Sequence, residues 1–254
     1  MPGQIQSIER AAAILRLLSG RSRRLGVAEL AAAMKLPKGT VHGILRTLHS
    51  VGFVEQDAET GKYQLGAALL HMGSSYLDGN ELRSRALNWA DGLATQSGES
   101  VRIGTLHERL VLVVHHVFRP DDSLQALDVG SLLPAHATAL GKVLLAHHRY
   151  LAAEVAERGL SSYTAETITD GYRLGEELDE ISRRGWAAEV EELYLGAASI
   201  AAPIEDRSRV VVGAIAISGA VERMCDGRAP RAELVGYVRE SARAITRELG
   251  GMPW

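Results

Sequence analysis

The stretch Leu36-Pro37-Lys38-Gly39-Thr40-Val41-His42-Gly43-Ile44-Leu45-Arg46-Thr47-Leu48-His49 decides the fold. Apolar residues recur at Val41, Ile44, Leu45 and Leu48, the spacing of one face of a helix. This predicts a helix over 38–49 with those four side chains turned inward. Outward remain Lys38, Gly39, Thr40, His42, Gly43, Arg46 and Thr47, a short, basic, hydrogen-bonding face that suits a DNA major groove. The two glycines admit close backbone approach, and Pro37 suits the first turn of a helix.

Working outward, 27–34 consists almost entirely of good helix formers and is separated from 38–49 by the short break 35–37. Further upstream, Ile8, Ala11, Ile14, Leu15 and Leu18 predict a helix over 8–18, with Ser7 as N-cap and Gly20 at its end. A basic loop, Arg21-Ser22-Arg23-Arg24, lies between these helices. Downstream, 53–56 and 62–65 read as two strands joined by the turn-forming Asp57-Ala58-Glu59-Thr60-Gly61. Three helices, a tight break and a polar hairpin make a winged helix-turn-helix. On this reading Thr40, His42 and Arg46 reach base edges. Lys38, Thr47, Arg23, Arg24, Lys62 and Tyr63 contact phosphates or flank the groove.

Charge is distributed to match. The 254 residues carry a formal charge of −3, which looks unfavourable for a nucleic-acid partner. Yet residues 1–75 hold nine Lys/Arg against five acids, a net of +4. The remainder holds 19 bases and 26 acids, a net of −7. A basic head on an acidic body points to one anionic partner at one end. One cysteine, Cys225, excludes an intramolecular disulfide and cysteine-rich zinc modules. There is no apolar run of membrane-spanning length and no leader-like N-terminus, which predicts a cytoplasmic protein without a membrane partner.

Three segments of this head, Ser7-Ile8-Glu9-Arg10-Ala11, Leu36-Pro37-Lys38-Gly39-Thr40-Val41-His42 and Gly61-Lys62-Tyr63-Gln64-Leu65-Gly66, resemble the N-terminal domain of IclR-type transcriptional regulators. The resemblance continues through nearly the whole chain. It implies a winged-helix domain, a linker helix and a domain that binds a small-molecule effector, in a homodimer or a dimer of dimers. Many members carry Ser and Arg where this chain has Gly39 and Gly43, a departure that implies a subgroup's operator preference. The expected boundaries are 1–66 for the DNA-binding head, 67–80 for the linker helix and 81–254 for the effector domain.

In the body, strand-like runs at 100–106, 110–118 and 124–129 precede helical segments at 135–148, 151–158 and 175–184. Strands at 186–191, 199–205 and 210–218 and a closing helix at 231–249 follow. This order indicates an α+β fold with a mostly antiparallel sheet. The resemblance implies a GAF-like effector-binding domain.

The run Leu133-Pro134-Ala135-His136-Ala137-Thr138-Ala139-Leu140-Gly141-Lys142 stands at a loop-to-helix junction, where unpaired N–H groups welcome anions. By itself it reads more readily as an ordinary capped helix. The resemblance implies instead that it lines the effector pocket, with Ala139 and Leu140 as walls. It also carries Glu189, Ser199, Ala216 and Ser218 over as effector-binding positions. Glu189 stands where carboxylate-binding members often have Asp, Ser199 where many have Cys, and Ala216 with Ser218 where glyoxylate binders have two serines. These residues suit a ligand with hydroxyl groups. The alternative for each is ordinary strand polarity or a solvated charge.

Within the family, 38–48, the run Val113-Val114-His115-His116-Val117-Phe118-Arg119-Pro120-Asp121-Asp122-Ser123 and 198–204 are similar to actinomycete glycerol-operon regulators. That likeness implies a repressor of glycerol catabolism, bound to a palindromic double-stranded operator and released by glycerol 3-phosphate or glycerol. A small carboxylate as effector is the alternative. An enzyme with an accessory winged helix is the more distant one, since no nucleophile elbow, zinc-protease helix or phosphate loop occurs. No catalytic residue, metal ligand or cofactor is assigned. Adjacent histidines at 115/116 and 147/148 diverge too far to chelate one ion. A metal site assembled from His107, His116 and His136 is the reading left open.

Overall fold

The computed structural model describes residues 5–20, 24–121 and 123–250. The chain divides into two compact units, one ending at Gly79 and the other beginning at Asn80.

In the first unit α1 (Gln6–Leu18), α2 (Val27–Met34) and α3 (Lys38–Ser50) surround a core of Ile14, Leu18, Leu30, Ala31, Val41, Leu45, Leu48, Val54 and Tyr63. The α1 start differs from expectation. Ile5, with no side-chain cap, precedes it, Ser7 lies inside the helix, and Ile8 is 64% exposed rather than facing inward. The helix ends at Leu18 with Ser19 as its cap, not Gly20. Gly26 N–H donates to Glu29 Oε2 (2.6 Å) and so anchors the first turn of α2. The break after α2 turns through Lys35 in the left-handed region (φ 53°), closed by Leu36 N–H donating to Ala31 O (3.0 Å). Pro37 stands one residue before α3, at the cap position.

The wing is β1 (Val54–Gln56) paired antiparallel with β2 (Tyr63–Leu65). Its turn is held by Asp57 Oδ1, which accepts from Thr60 N–H (2.8 Å) and Glu59 N–H (3.1 Å). Leu25 bridges to Tyr63 from the other side. Gly66 is needed at the exit, because a Cβ there would lie 2.2 Å from the Gly52 carbonyl oxygen. The unit closes with α4 (Ala67–Asp78), none of whose residues is buried and which exposes Leu70, Met72 and Tyr76.

The second unit is an α+β sandwich. Its sheet has the order β5-β4-β3-β8-β7-β6, antiparallel throughout, from β3 (Ser100–His107), β4 (Leu110–Val117), β5 (Leu132–Pro134), β6 (Ala187–Val190), β7 (Ala197–Glu205) and β8 (Val211–Ala220). One face is covered by α5 (Glu81–Ser97) and α10 (Ala232–Glu248). Against the other packs α6 (Ala139–Ala146), with α7 (Arg149–Glu157) and α8 (Gly171–Arg184) beyond it. Between β8 and α10 come the one-turn α9 (Val221–Met224) and the small hairpin β9 (Cys225–Asp226) and β10 (Ala229–Pro230), which the periodicity did not signal. No helix among the described residues is long and apolar enough to cross a membrane.

Two expectations for this unit fail. No strand forms at 124–129; the third strand of that half is β5, eight residues later, and Leu124 and Leu127 are exposed. The apolar residues there are not on a sheet face, because Gln125 and Asp128 tether the segment through side chains instead. Nor does α6 begin at 135. Thr138 caps it, accepting from Gly141 N–H (3.2 Å) while donating to Pro134 O (2.9 Å).

Candidate DNA-reading face and effector site

Along α3 the side chains of Lys38, His42 and Arg46 are four residues apart, hence stacked in one stripe on one side of the helix. All three are exposed, as is Thr47, while Thr40 is half-buried beside them. A Cβ built on Gly39 or Gly43 meets nothing within 4 Å, so the face is open as well as polar. Val41, Leu45 and Leu48, on the adjoining face of the helix, sit in the core. Among the described residues, neither Lys38 nor Arg46 is ion-paired, whereas two other cations of the head are engaged. Arg24 pairs with Asp57 (2.9 Å) and donates to Gln64 (3.0 Å); Lys62 lies 3.4 Å from Glu29. Thr47 Oγ1 donates to Gly43 O (3.2 Å), which ties that hydroxyl to its own helix.

Tyr63 requires a correction. Its residue is 4% exposed and belongs to the hydrophobic core of the head, so its ring is not offered to a phosphate. The Leu25 bridge makes β2 the middle of three paired segments, and strand alternation then sends Tyr63 inward with Lys62 and Gln64 less buried on either side. Arg23 lies outside the described residues.

In the second unit, register brings the expected effector residues together. Glu189 on β6 is opposite Ser199 on β7, Ser199 opposite Ser218 on β8, and Ser218 opposite Ser100 on β3. Alternation puts this row on the same face as Ala187, Ala201 and Ala216, which pack in one cluster with Ala139 and Leu140 of α6. Ser199 Oγ donates to Glu189 Oε1 (3.0 Å), Glu192 N–H donates to Glu189 Oε2 (3.1 Å), and Ser100 Oγ is 3.3 Å from Ser218 Oγ. A polar row thus crosses four strands on the sheet face that α6 covers. In the first turn of α6 only glycine fits position 141, since a Cβ would fall 2.1 Å from the Ala135 carbonyl oxygen.

Burial raises the Glu189 carboxyl from 4.5 to about 7, the bonds from Glu192 N–H and Ser199 opposing it. An acid whose folded pKa lies above its unfolded value holds its proton more tightly when folded. Stability therefore falls as pH rises from 4.5 to about 7, and the loss is complete above that. The ionised form costs about 3 kcal/mol. Glu189→Gln should accordingly narrow the difference between melting temperatures measured at about pH 5 and pH 8. An unchanged difference would assign the titration elsewhere.

Several charged groups here were not singled out from sequence. Lys142 of α6 is 1% exposed; its Nζ pairs with Glu192, donates to Ala188 O (3.3 Å) and lies 3.7 Å from Glu177. Burial pushes the Glu192 carboxyl up, against the pull of Lys142. On β3, Arg102 shares its face with the serine row and pairs with Asp128. The only sequence signal for Arg102 is a charge inside an otherwise apolar strand, Val101-Arg102-Ile103.

The metal reading finds no geometric support. Among the described residues no group of three or more His, Cys, Asp or Glu is placed to hold an ion. His116 Nδ1 accepts from Asp128 N–H (3.2 Å) and His136 Nε2 bonds Ser161 O (2.9 Å), while His107 is exposed at the end of β3.

Comparison with known proteins gives the same two-part division. A family model for the IclR helix-turn-helix domain matches residues 7–58, and one for the C-terminal part of the bacterial transcriptional regulator IclR matches 74–247. A glycerol operon regulatory protein of Streptomyces coelicolor is 55% identical over 98% of both chains, and one of Streptomyces griseus 52% identical over the same shares. The solved structure of an IclR transcriptional regulator from Alicyclobacillus acidocaldarius, 26% identical, superposes with a TM-score of 0.82 over 98% of this chain and all of that one.

Proposed function

The chain belongs to the IclR family of bacterial transcriptional regulators, and from that premise we propose that it represses a catabolic operon and is released from DNA by glycerol 3-phosphate or glycerol. Residues 1–66 serve as the DNA-binding head, 67–80 as the linker helix and 81–254 as the effector domain. Carrying the DNA-binding part of this reading is the open stripe Lys38, His42 and Arg46 on α3, set on a head of net +4. Thr40, His42 and Arg46 read base edges; Lys38, Thr47, Arg24 and Lys62 hold the backbone. Likeness to two relatives named as glycerol operon regulators supports the choice of operon. Support for a hydroxylated effector comes from Glu189, Ser199 and Ser218, all hydrogen-bonding groups in one row, with Ala139, Leu140 and Ala216 as apolar walls.

The repressor works as a homodimer on a palindromic operator, with recognition helices roughly 34 Å apart. Consistent with this, α4 exposes Leu70, Met72 and Tyr76, more apolar surface than a helix kept in water usually shows. The effector acts through its difference in affinity for the DNA-competent and released states. A gel-shift titration against the upstream region of the chain's own operon, with and without glycerol, glycerol 3-phosphate and small carboxylates, tests the whole reading. Absence of saturable binding to any such fragment would sink it. In the same assay Arg46→Ala should weaken binding by roughly 1–3 kcal/mol and relax specificity, as loss of a base contact does. Lys38→Ala should weaken all sequences alike and lower the salt slope by about one. Equal effects of the two variants on operator and random DNA would contradict the assignment of Arg46 to a base.

A further inference from the structure

We propose that Arg102 is the anion receptor of the effector site, occupied in the free protein by Asp128, which the phosphate of a small polyol phosphate displaces. The proposal rests on the effector reading above and extends it to a residue outside the expected set.

Arg102 stands on β3 opposite Ala216 of β8 and His116 of β4, on the face that carries the serine row. Its Nη1 donates to Ser218 Oγ, one of the expected effector groups. Its Nε (2.7 Å) and Nη2 (2.6 Å) both converge on a single oxygen of Asp128, Oδ2. A guanidinium fork is better matched by two acceptor oxygens, and a phosphate offers three. Asp128 is therefore a one-oxygen occupant of a site shaped for more. The pair is also within reach of solvent, with the Arg102 side chain 24% and that of Asp128 29% exposed. Asp128 belongs to the segment between β4 and β5 that forms no strand, so its departure breaks no sheet pairing.

A buried group without a hydrogen-bond partner lies on the neighbouring strand. His116 is more than nine-tenths buried, and its Nε2 has no hydrogen-bond partner. Because Nδ1 accepts from Asp128 N–H, the neutral ring carries its proton on Nε2, a buried donor without an acceptor. Burial, with Arg102 adding to it, lowers the pKa of this ring.

The order of the groups suits a short hydroxylated phosphate. Arg102 reaches across to Ser218 on β8, while Glu189 reaches across to Ser199 on β7. Ser199 and Ser218 are paired across neighbouring strands, whose backbones run about 4.8 Å apart. A ligand with an anion at one end and hydroxyls at the other thus meets Arg102 and Ser218 at one end of the row and Ser199 and Glu189 at the other. Glu189, with its proton held up to about pH 7, adds little repulsion against the incoming charge.

The test is isothermal titration calorimetry of the full chain with glycerol 3-phosphate, glycerol and inorganic phosphate, on wild type, Arg102→Gln and Asp128→Asn. Arg102→Gln should lower the preference for glycerol 3-phosphate over glycerol about 100-fold. Asp128→Asn, which removes the competing carboxylate, should tighten both phosphates about tenfold, a gain that a misfolded variant cannot show. Glycerol 3-phosphate bound equally by wild type and Arg102→Gln overturns the role of Arg102 and leaves the effector reading standing. Binding of glycerol with neither phosphate does the same. Arg102-dependent binding of inorganic phosphate without either glycerol compound sustains the receptor and overturns the glycerol reading. If none of the three binds, both fall.

Discussion

Lys142→Ala is expected to lower the stability of the second unit by about 3–5 kcal/mol, the cost of removing one partner from a buried ion pair. Lys142 is among the largest fully buried side chains of the protein. Its ammonium answers Glu192, whose second oxygen already has no hydrogen-bond partner. Without the lysine the carboxylate is stranded, and Glu192 must protonate or draw in water. The deficit should grow as pH rises, because the folded pKa of Glu192, raised already, rises further when its cation is gone. For a unit of this size the loss corresponds to a melting temperature lower by about 6–20 °C. Lys142→Met combined with Glu192→Met should recover most of it, since apolar replacements remove both charges together. A melting temperature for Lys142→Ala within about 2 °C of wild type would mean that the pair contributes little.

Leu45→Ala should abolish DNA binding by unfolding the head, not by touching the nucleic acid. Leu45 is fully buried on α3, about 100° around the helix from the exposed Arg46. Truncating a buried leucine costs about 2–5 kcal/mol. Among the described residues the head's core has nine buried hydrophobic side chains, and so small a domain has little stability to lose. The second unit has its own core and should keep its melting transition. Circular dichroism melts with gel shifts would separate the cases. Arg46→Ala should keep the head's transition and lose part of the affinity, and Leu45→Ala should lose both. Retention of a folded head by Leu45→Ala would place the head's stability elsewhere.

The helices of the head were legible because their signal is local. Val41, Ile44, Leu45 and Leu48 announce a buried face within two turns, and the polar remainder of α3 is then necessarily outward. Where single side chains had to choose a face, local reading was weaker. Tyr63 beside Lys62 looked like an exposed aromatic, but the bridge from Leu25, 38 positions earlier in the chain, decided that the ring goes inward. Likewise 124–129 reads as a short strand-like run, yet Asp128 spends its hydrogen bonds on Arg102 and His116, leaving Leu124 and Leu127 in water. The helix cap at 138 was hidden for a related reason, since apolar Ala135 and Ala137 are buried without being helical.

The candidate effector site divides along the same line. Glu189 and Ser199 are ten residues apart, and the strands that carry them could be located from the sequence. The contact of Arg102 with Ser218 spans 116 positions and that of Lys142 with Glu192 spans 50. By itself the sequence determined the winged helix-turn-helix, the basic head on an acidic body, the α+β order of the body and the face of α3 offered outward. Helical period and net charge depend on neighbours a few residues away. Only the tertiary structure decided which cations stand free, which are answered by buried carboxylates, and which acceptor row Arg102 joins. Antiparallel register sets those pairings, and a slip of one residue would turn every side chain of a strand to the opposite face.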